Sequence, residues 1–148
     1  MRQAQGAYRV IVVDVLEGKL ALARRLGADI TLNPGQDDVI EAVKDLTNGL
    51  GADVVVEAAG TAESFNTASE IINTTQVRVL QLGHHPVTLN ISRWHDDGLE
   101  FINTCLVHHT WQQRYVWCPE ALRPVARLVE VRPLITDEFR LDDIKAGF

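Results

Sequence analysis

Asp14 is the residue whose position in the sequence most clearly indicates chemistry. It closes the apolar, β-branched run "RVIVVDV" (9–15), and charged, helix-favouring sequence follows it. In parallel sheets flanked by helices, a carboxylate at such a strand end accepts hydrogen bonds from the ribose hydroxyls of a bound dinucleotide. The same carboxylate repels the 2′-phosphate of NADP, so NAD is favoured. The alternative is an acidic residue that begins a helix, where its charge suits the helix dipole.

A dinucleotide site of this kind has a glycine-rich phosphate loop roughly 20 residues before the carboxylate. Only 13 residues precede Asp14, and the ten glycines of the chain nowhere form the pattern GxGxxG. The residues therefore predict the ribose end of a nucleotide site without its phosphate-binding end.

A second strand end that could admit a ligand is "AAG", Ala58 to Gly60, which follows the apolar run "VVVE". Small residues let a ligand come close to the backbone. Close packing of a helix would favour the same small residues, so both interpretations stay open.

The sequence contains little that indicates metal binding or nucleophilic catalysis. The two "HH" pairs, at 84–85 and 108–109, cannot each chelate one ion, because neighbouring residues of a strand point to opposite faces. Cys105 and Cys118 form no CxxC pair, and no GxSxG motif offers a nucleophilic serine. We therefore assign no catalytic and no metal-binding residue to this chain.

The composition of the chain indicates which classes of protein it can belong to. With 148 residues, 46% of them hydrophobic and 23% charged, the chain suits a single globular domain. Its net charge of −6 comes from residues spread along the chain, which argues against nucleic acid as a partner. The sequence contains no apolar run of the ~18 residues that a membrane helix needs and no recognisable signal peptide, so we expect a cytoplasmic protein without a membrane partner.

Strands and helices alternate along the first half of the chain. Segments with apolar residues at helical spacing, one of them stopped by Gly27 and another capped by Thr61 or Ser64, separate short β-branched runs. The alternation predicts an α/β fold with a mainly parallel sheet and helices on both faces. The strands are expected at 9–15, 29–32, 52–60 and 77–83.

Beyond Gly83 the pattern is less regular. We expect an edge strand from Val87 to Ser92, a further strand over 99–109 and a helix that starts near Pro119. The last residues predict a short extended piece and then the opening of an amphipathic helix at Leu141.

Three blocks of sequence, taken in order, resemble a known family. They are "VIVVDVLEGKLALARRLGAD", "GADVVVEAAGTAES" and "PLITDEFRLDDIKAGF", and they are similar to the coenzyme-binding half of the medium-chain dehydrogenases/reductases, which include zinc-dependent alcohol, polyol and threonine dehydrogenases. In that family a catalytic domain with the zinc ligands precedes the coenzyme domain. The resemblance implies that residues 1–148 are a partial, Rossmann-like NAD-binding domain, which lacks the first strand, the glycine-rich loop and the catalytic domain.

The resemblance also implies roles for individual residues. Lys19 would lie beside the adenosine ribose, although a solvated lysine on a helix face is an equal alternative. The stretch "LQLG" would line the nicotinamide side, where Gln81 replaces a glycine of many family members. The expected cofactor-binding residues are Asp14, Val15, Lys19, Ala58, Ala59, Gly60, Leu80, Gln81, Leu82 and Gly83.

Three functions follow from these patterns. The first is the NAD-binding portion of an alcohol or polyol dehydrogenase, an oxidoreductase that would be inactive alone and whose zinc ligands are not expected in this chain. The second is a non-catalytic module that self-associates through the strand at 87–92, which resembles the family's subunit contact. The third, an S-adenosylmethionine-dependent methyltransferase, is disfavoured because "PLIT…LDDI" has no counterpart there.

The resemblance has a consequence for the sheet. In the strand order 3-2-1-4-5-6, the first strand separates the strand at 9–15 from the strand at 52–60. Without it, those two strands would pair directly, a neighbouring copy would fill the gap, or the sheet would split. We therefore expect marginal stability or self-association.

Overall fold

A computed structural model of the chain describes residues 7–73, 78–81, 100–103, 122–123, 126–127 and 130–147. Strands and helices alternate through the first 81 residues, which confirms the predicted α/β fold. The elements are β1 (Ile11–Val13), α1 (Glu17–Arg25), β2 (Ile30–Leu32), α2 (Val39–Leu46), β3 (Val54–Glu57), α3 (Ala62–Ile71), β4 (Arg78–Gln81), β5 (Glu100–Asn103) and 3-10 helices at Arg132–Leu134 and Leu141–Gly147.

The chain forms two compact units, one made of residues 1–31 and 109–148 and the other of residues 32–108. Over the described residues the strands also form two sheets, one with β1 beside β2 and one with the order β3-β4-β5. Strands β1 and β3 are not neighbours in either of these sheets.

The three-stranded sheet is parallel throughout. Val54 pairs with Arg78 at its beginning, and Glu57 pairs with Gln81 at its end. Gln81 pairs in turn with Asn103 of β5. Because parallel strands run in the same direction, the carboxyl ends of all three meet at one edge, which is the edge where open α/β sheets bind ligands.

In the first unit, backbone hydrogen bonds at Val10 connect the beginning of β1 with β2. The carbonyl of Val10 accepts hydrogen bonds from the backbone N–H groups of Asp29 and Ile30, at 2.9 and 3.3 Å. The side chain of Leu20 on α1 is only 1% exposed. Gly27 has φ +98°, a conformation that suits glycine, and it ends α1 as the sequence predicted.

The core of the second unit lies between its helices and its sheet. Helix α2 begins after Asp38, whose side chain accepts a hydrogen bond from the N–H of Glu41 at 3.0 Å. Helix α2 contacts α3, and α3 contacts β3. Ile72 and Val79 form a buried cluster against which Val55 packs. The other buried apolar side chains of this unit are Leu32, Val39, Val43, Phe65, Ala68 and Ile71.

One connection in this unit requires glycine. Gly51 has φ +85°, and a Cβ atom built on it would lie 2.7 Å from the backbone carbon and oxygen of Ile72. The approach is close because Ala52, the next residue, exchanges hydrogen bonds of 2.8 Å with the backbone of Ile71 and Asn73. A residue with a side chain at position 51 would therefore force two backbone segments apart.

One face of β3 is not covered. Val55 is half-buried, whereas Val54 and Val56 on the opposite face are 53% and 55% exposed. Successive side chains of a strand point to opposite faces, so the exposed pair forms an apolar surface on one side of the sheet. In the first unit, Val13 at the end of β1 is likewise 39% exposed. Strand β1 is also shorter than the predicted strand at 9–15.

The carboxyl-terminal part differs from its prediction in two places. Arg132–Leu134, predicted as extended, forms a 3-10 turn with a proline in its first turn. The predicted amphipathic α-helix is instead the 3-10 helix Leu141–Gly147, in which Leu141 and Ile144 are 83% and 50% exposed. An apolar stripe that is not buried contributes little to an α-helix, since packing supplies most helical stability.

Two further predictions fall mainly outside the described residues. The edge strand at 87–92 lies entirely outside them. Of the helix expected from Pro119, residues 122–123 and 126–127 are described, and they are helical. Within the described part of the chain, each helix is too short or too polar to span a membrane.

Candidate functional site

Asp14 lies directly after β1, and its two carboxylate oxygens have different surroundings. Oδ1 accepts a hydrogen bond of 2.9 Å from the backbone N–H of Leu16, the residue that precedes α1. Oδ2 lies 3.7 Å from the ammonium nitrogen of Lys19. The helix-start interpretation and the ligand interpretation of Asp14 therefore use different oxygens, so the two are compatible.

Lys19 lies beside the Asp14 carboxylate, and Val15 follows Asp14 in the chain. The Lys19 side chain is 66% exposed, and that of Asp14 is 27% exposed. Val15 is 68% exposed. A distance of 3.7 Å is too long for a hydrogen bond but close enough for an ion pair, so Lys19 leaves Oδ2 able to accept a hydrogen bond.

The turn Ala58–Gly60 follows β3 in the second unit. Ala58 and Ala59 are exposed, whereas Gly60 is buried and has φ +71°. This conformation is unfavourable for residues with a side chain, which explains the glycine at the end of the turn. The role of these residues in ligand binding stays a prediction.

Glu57 holds this turn from inside the protein. It is the last residue of β3 and is only 3% exposed. Its Oε1 atom accepts hydrogen bonds from the backbone N–H groups of Ala59 and Gly60, at 2.9 and 2.7 Å. The hydroxyl of Ser64 donates a third hydrogen bond to the same oxygen, at 2.7 Å.

The second oxygen of Glu57, Oε2, is buried and has no hydrogen-bond partner among the described residues. Sequence reasoning did not select Glu57, although one signal was available. A carboxylate that closes the apolar run "VVVE" directly before "AAG" is a charged residue at the end of a strand, as Asp14 is.

Ser64 also takes part in the beginning of α3. The N–H of Ser64 donates to the Thr61 hydroxyl, and the N–H of Thr61 donates to the Ser64 hydroxyl, each at 3.1 Å. This reciprocal capping box uses both residues that the sequence offered as alternative caps. The Glu57 carboxylate is thereby tied to the first turn of α3.

The residues expected on the nicotinamide side are described only in part. Leu80 and Gln81 belong to β4 and pair in register with Val56 and Glu57 of β3. The turn at 58–60 and the end of β4 therefore share one sheet edge. Leu82 and Gly83 lie outside the described residues.

The metal question also falls mostly outside the described residues. All five histidines and both cysteines lie there, including the two "HH" pairs. Among the residues that the structure does describe, no group of three or more His, Cys, Asp or Glu side chains could hold a metal ion.

Comparison with solved structures identifies other proteins that share this fold. Benzyl alcohol dehydrogenase from Acinetobacter calcoaceticus matches with a TM-score of 0.79 at 19% identity, over 98% of this chain and 40% of that one. Zinc-dependent alcohol dehydrogenase 2 from Streptococcus pneumonia matches with a TM-score of 0.78 at 23% identity, over 94% of this chain and 39% of that one. At these identities the likeness shows a shared fold.

Comparison of this chain with other sequences identifies its family. The profile of the family described as zinc-binding dehydrogenase matches residues 1–118. L-threonine 3-dehydrogenase of Bacillus subtilis is 28% identical over 99% of this chain, and that of Pyrococcus furiosus is 32% identical over 93% of it. The chain spans 42% and 39% of the length of these two relatives. The chain thus belongs to the zinc-binding dehydrogenase family and corresponds to its coenzyme-binding region.

Proposed function

We propose that this chain is the NAD-binding part of an alcohol or polyol dehydrogenase and that it carries no catalytic residue of its own. The observation that carries the proposal is Asp14. Its carboxylate stands at the end of a strand, 27% exposed, with one oxygen anchored to the Leu16 N–H and the other 3.7 Å from the ammonium nitrogen of the exposed Lys19. This is the geometry that an acceptor for two ribose hydroxyls needs.

The proposed binding residues fall into two groups along the sequence, one that follows β1 and one that follows β3 and β4. Asp14, Val15 and Lys19 would hold the adenosine ribose, and the Asp14 charge would favour NAD over NADP. Ala58, Ala59 and Gly60, with the end of β4, would contact the rest of the cofactor through the backbone. Bound NAD would supply the hydride acceptor, and these residues would bind and orient it. The proposed binding residues at the end of β4 and beyond are Leu80, Gln81, Leu82 and Gly83.

The proposal also concerns the larger protein. Residues 1–148 would be part of an NAD-binding domain, and the catalytic domain with its zinc ligands would lie in sequence outside these residues. The match over about two fifths of the relatives supports this placement. A cytoplasmic location belongs to the same proposal.

A titration of NADH with the 148-residue chain tests the proposal. We expect saturable enhancement of NADH fluorescence, with a weak dissociation constant of roughly 0.1–1 mM, equivalent to about 4–5 kcal/mol of binding free energy. NADPH should bind at least about tenfold more weakly, because its 2′-phosphate meets the Asp14 carboxylate. The absence of any saturation with NADH in a folded sample would contradict the proposal.

A second candidate function is a self-associating module, and the exposed face of β3 favours it. Val54 and Val56 are each more than half exposed, and over the described residues β3 pairs with β4 on one side only. An uncovered apolar face beside an unpaired strand edge readily binds a second strand. A second copy of this chain would supply one, and the strand predicted at 87–92 would be part of that contact.

A further inference from the structure

The Glu57 carboxylate organises the end of β3, and it does so with one oxygen. Oε1 accepts from the N–H of Ala59 at 2.9 Å, from the N–H of Gly60 at 2.7 Å and from the Ser64 hydroxyl at 2.7 Å. Hydrogen bonds to an ionised acceptor are roughly twice as strong as those between neutral groups. The turn at 58–60 is therefore held firmly from its inner side.

The hydrogen bonds at this turn engage four of the N–H groups that could bind an anion. The beginning of a helix attracts phosphate, because its free N–H groups and the helix dipole favour negative charge. At the beginning of α3, the N–H groups of Thr61 and Ser64 are taken by the capping box. Those of Ala59 and Gly60 are taken by Glu57, which also brings a negative charge.

The backbone of this turn determines which hydrogen bonds it can still make to a ligand. Each residue other than proline carries one N–H donor and one carbonyl acceptor. With the N–H groups of Ala59 and Gly60 engaged, the exposed residues Ala58 and Ala59 offer mainly acceptors. A suitable ligand group is uncharged and donates hydrogen bonds, as a sugar hydroxyl or a carboxamide does.

Within the described part of the chain, the burial of Glu57 leaves one of its two carboxylate oxygens without a donor. The residue is 3% exposed, and its Oε2 atom has no partner among the described residues. A buried acceptor without a donor destabilises a fold, so each such group in a native structure requires an explanation. An apolar side chain at this position would avoid that cost but would leave the N–H groups of Ala59 and Gly60 open to anions.

We propose that Glu57 is a specificity-determining and positioning residue of the nucleotide site. Its carboxylate occupies the anion position at the beginning of α3, so that the turn Ala58–Gly60 rejects phosphate and receives an uncharged, hydrogen-bond-donating part of the dinucleotide. This inference rests on the proposed NAD-binding function, and it assigns to Glu57 a role that acts through the backbone of the turn.

The test compares Glu57→Ala and Glu57→Gln with the wild type by NMR, following the backbone amides of Ala59 and Gly60. Inorganic phosphate should leave both amides unchanged in the wild type. In E57A it should shift both saturably, with an affinity at least about tenfold higher than in the wild type, because the charge is gone and the N–H groups are free. NADH should bind E57A about tenfold more weakly, because the turn is no longer held.

The conservative variant E57Q separates the charge from the hydrogen bonds. Its amide oxygen can still accept from Ala59 and Gly60, so NADH affinity should stay within about threefold of the wild type. Glu63→Gln is the matched control, since it removes an exposed glutamate charge from the first turn of α3. We expect E63Q to bind NADH and phosphate as the wild type does.

Two outcomes would overturn the inference. One is a saturable phosphate shift at Ala59 and Gly60 in the wild type, a measurement that needs no variant to fold. The other is an E57A protein with a native circular dichroism spectrum, unchanged NADH affinity and no phosphate response. Failure of the wild type to bind NADH would instead contradict the proposed function, and the phosphate titrations would still report on Glu57.

Discussion

The Lys19 ammonium nitrogen lies 3.7 Å from Oδ2 of Asp14, while Oδ1 of the same carboxylate is held by the N–H of Leu16 at 2.9 Å. The backbone contact fixes the direction of the carboxylate, and the lysine supplies a positive charge without occupying Oδ2. An exposed ion pair contributes little to stability, at most about 1 kcal/mol. The ion pair therefore adds little to the stability of the fold.

Replacement of Asp14 tests the ribose site. In Asp14→Asn the amide oxygen can still accept from the N–H of Leu16, but the charge is lost. Hydrogen bonds to a charged group contribute about 1.5–3 kcal/mol, so NADH affinity should fall roughly 10- to 100-fold. The preference for NADH over NADPH should shrink at the same time. Fluorescence titration with both cofactors measures the two effects.

The control for this variant is Asp45→Asn, which removes one exposed aspartate charge from α2. It changes the net charge of the chain equally and should leave cofactor affinity unchanged. Equal NADH affinity in D14N and the wild type would contradict the ribose role of Asp14.

Truncation of Leu20 tests the packing of α1. Leu20 is 1% exposed, so Leu20→Ala should lower the free energy of unfolding by about 2–5 kcal/mol through lost burial and a residual cavity. Leu50, which is 64% exposed, provides the matched control, and Leu50→Ala should have a small effect. Urea unfolding at one fixed protein concentration compares them, and equal midpoints for L20A and L50A would show that α1 does not pack as described.

A pair of glycine substitutions tests the connection before β3. Gly49 and Gly51 have φ +84° and +85°, so alanine at either site introduces similar backbone strain, about 1–2 kcal/mol. At Gly51 the added Cβ would also meet the backbone of Ile72 at 2.7 Å, whereas at Gly49 it meets nothing within 4 Å. We expect G51A to be less stable than G49A by about 1–3 kcal/mol in thermal or urea unfolding. Equal stability of the two variants would contradict the close approach at Ile72.

The exposed face of β3 predicts self-association. Sedimentation velocity should show a weight-average mass that rises with protein concentration. The double substitution Val54→Thr and Val56→Thr keeps β-branched residues but makes the face polar, and it should reduce this rise. Leu50→Thr removes a comparably exposed apolar side chain outside the strands, and it should leave the rise in mass unchanged. A wild type that stays monomeric at the highest concentration would exclude the self-association function.

Local signals in the sequence predicted the local structure well. Gly27 ends α1, and both Thr61 and Ser64 cap α3, because glycine conformations and capping hydrogen bonds depend only on residues a few positions apart. The same holds for the alternation of strands and helices, which reflects the period of apolar residues. The predictions for the last residues were wrong at Arg132–Leu134 and at Leu141–Gly147, where Leu134, Leu141 and Ile144 are at least half exposed or nearly so and burial does not select the expected conformation.

The candidate site was predictable to the extent that it depends on strand ends. Asp14 and the turn at 58–60 lie at the carboxyl ends of β1 and β3, as the apolar runs before them indicated. Glu57 was not selected, because its importance comes from burial and from three donors that converge on one oxygen. A sequence pattern shows that a carboxylate is present but not which N–H groups will surround it.

The sequence by itself determined the α/β class, the order of the elements and the ribose-binding carboxylate as a candidate, since these follow from side-chain periodicity and residue type. Only the tertiary structure decided that the strands divide into two sheets, that Val54 and Val56 stay exposed and that Glu57 is enclosed. The physical reason is that strand pairing and burial depend on segments distant in sequence, whose packing no local pattern specifies.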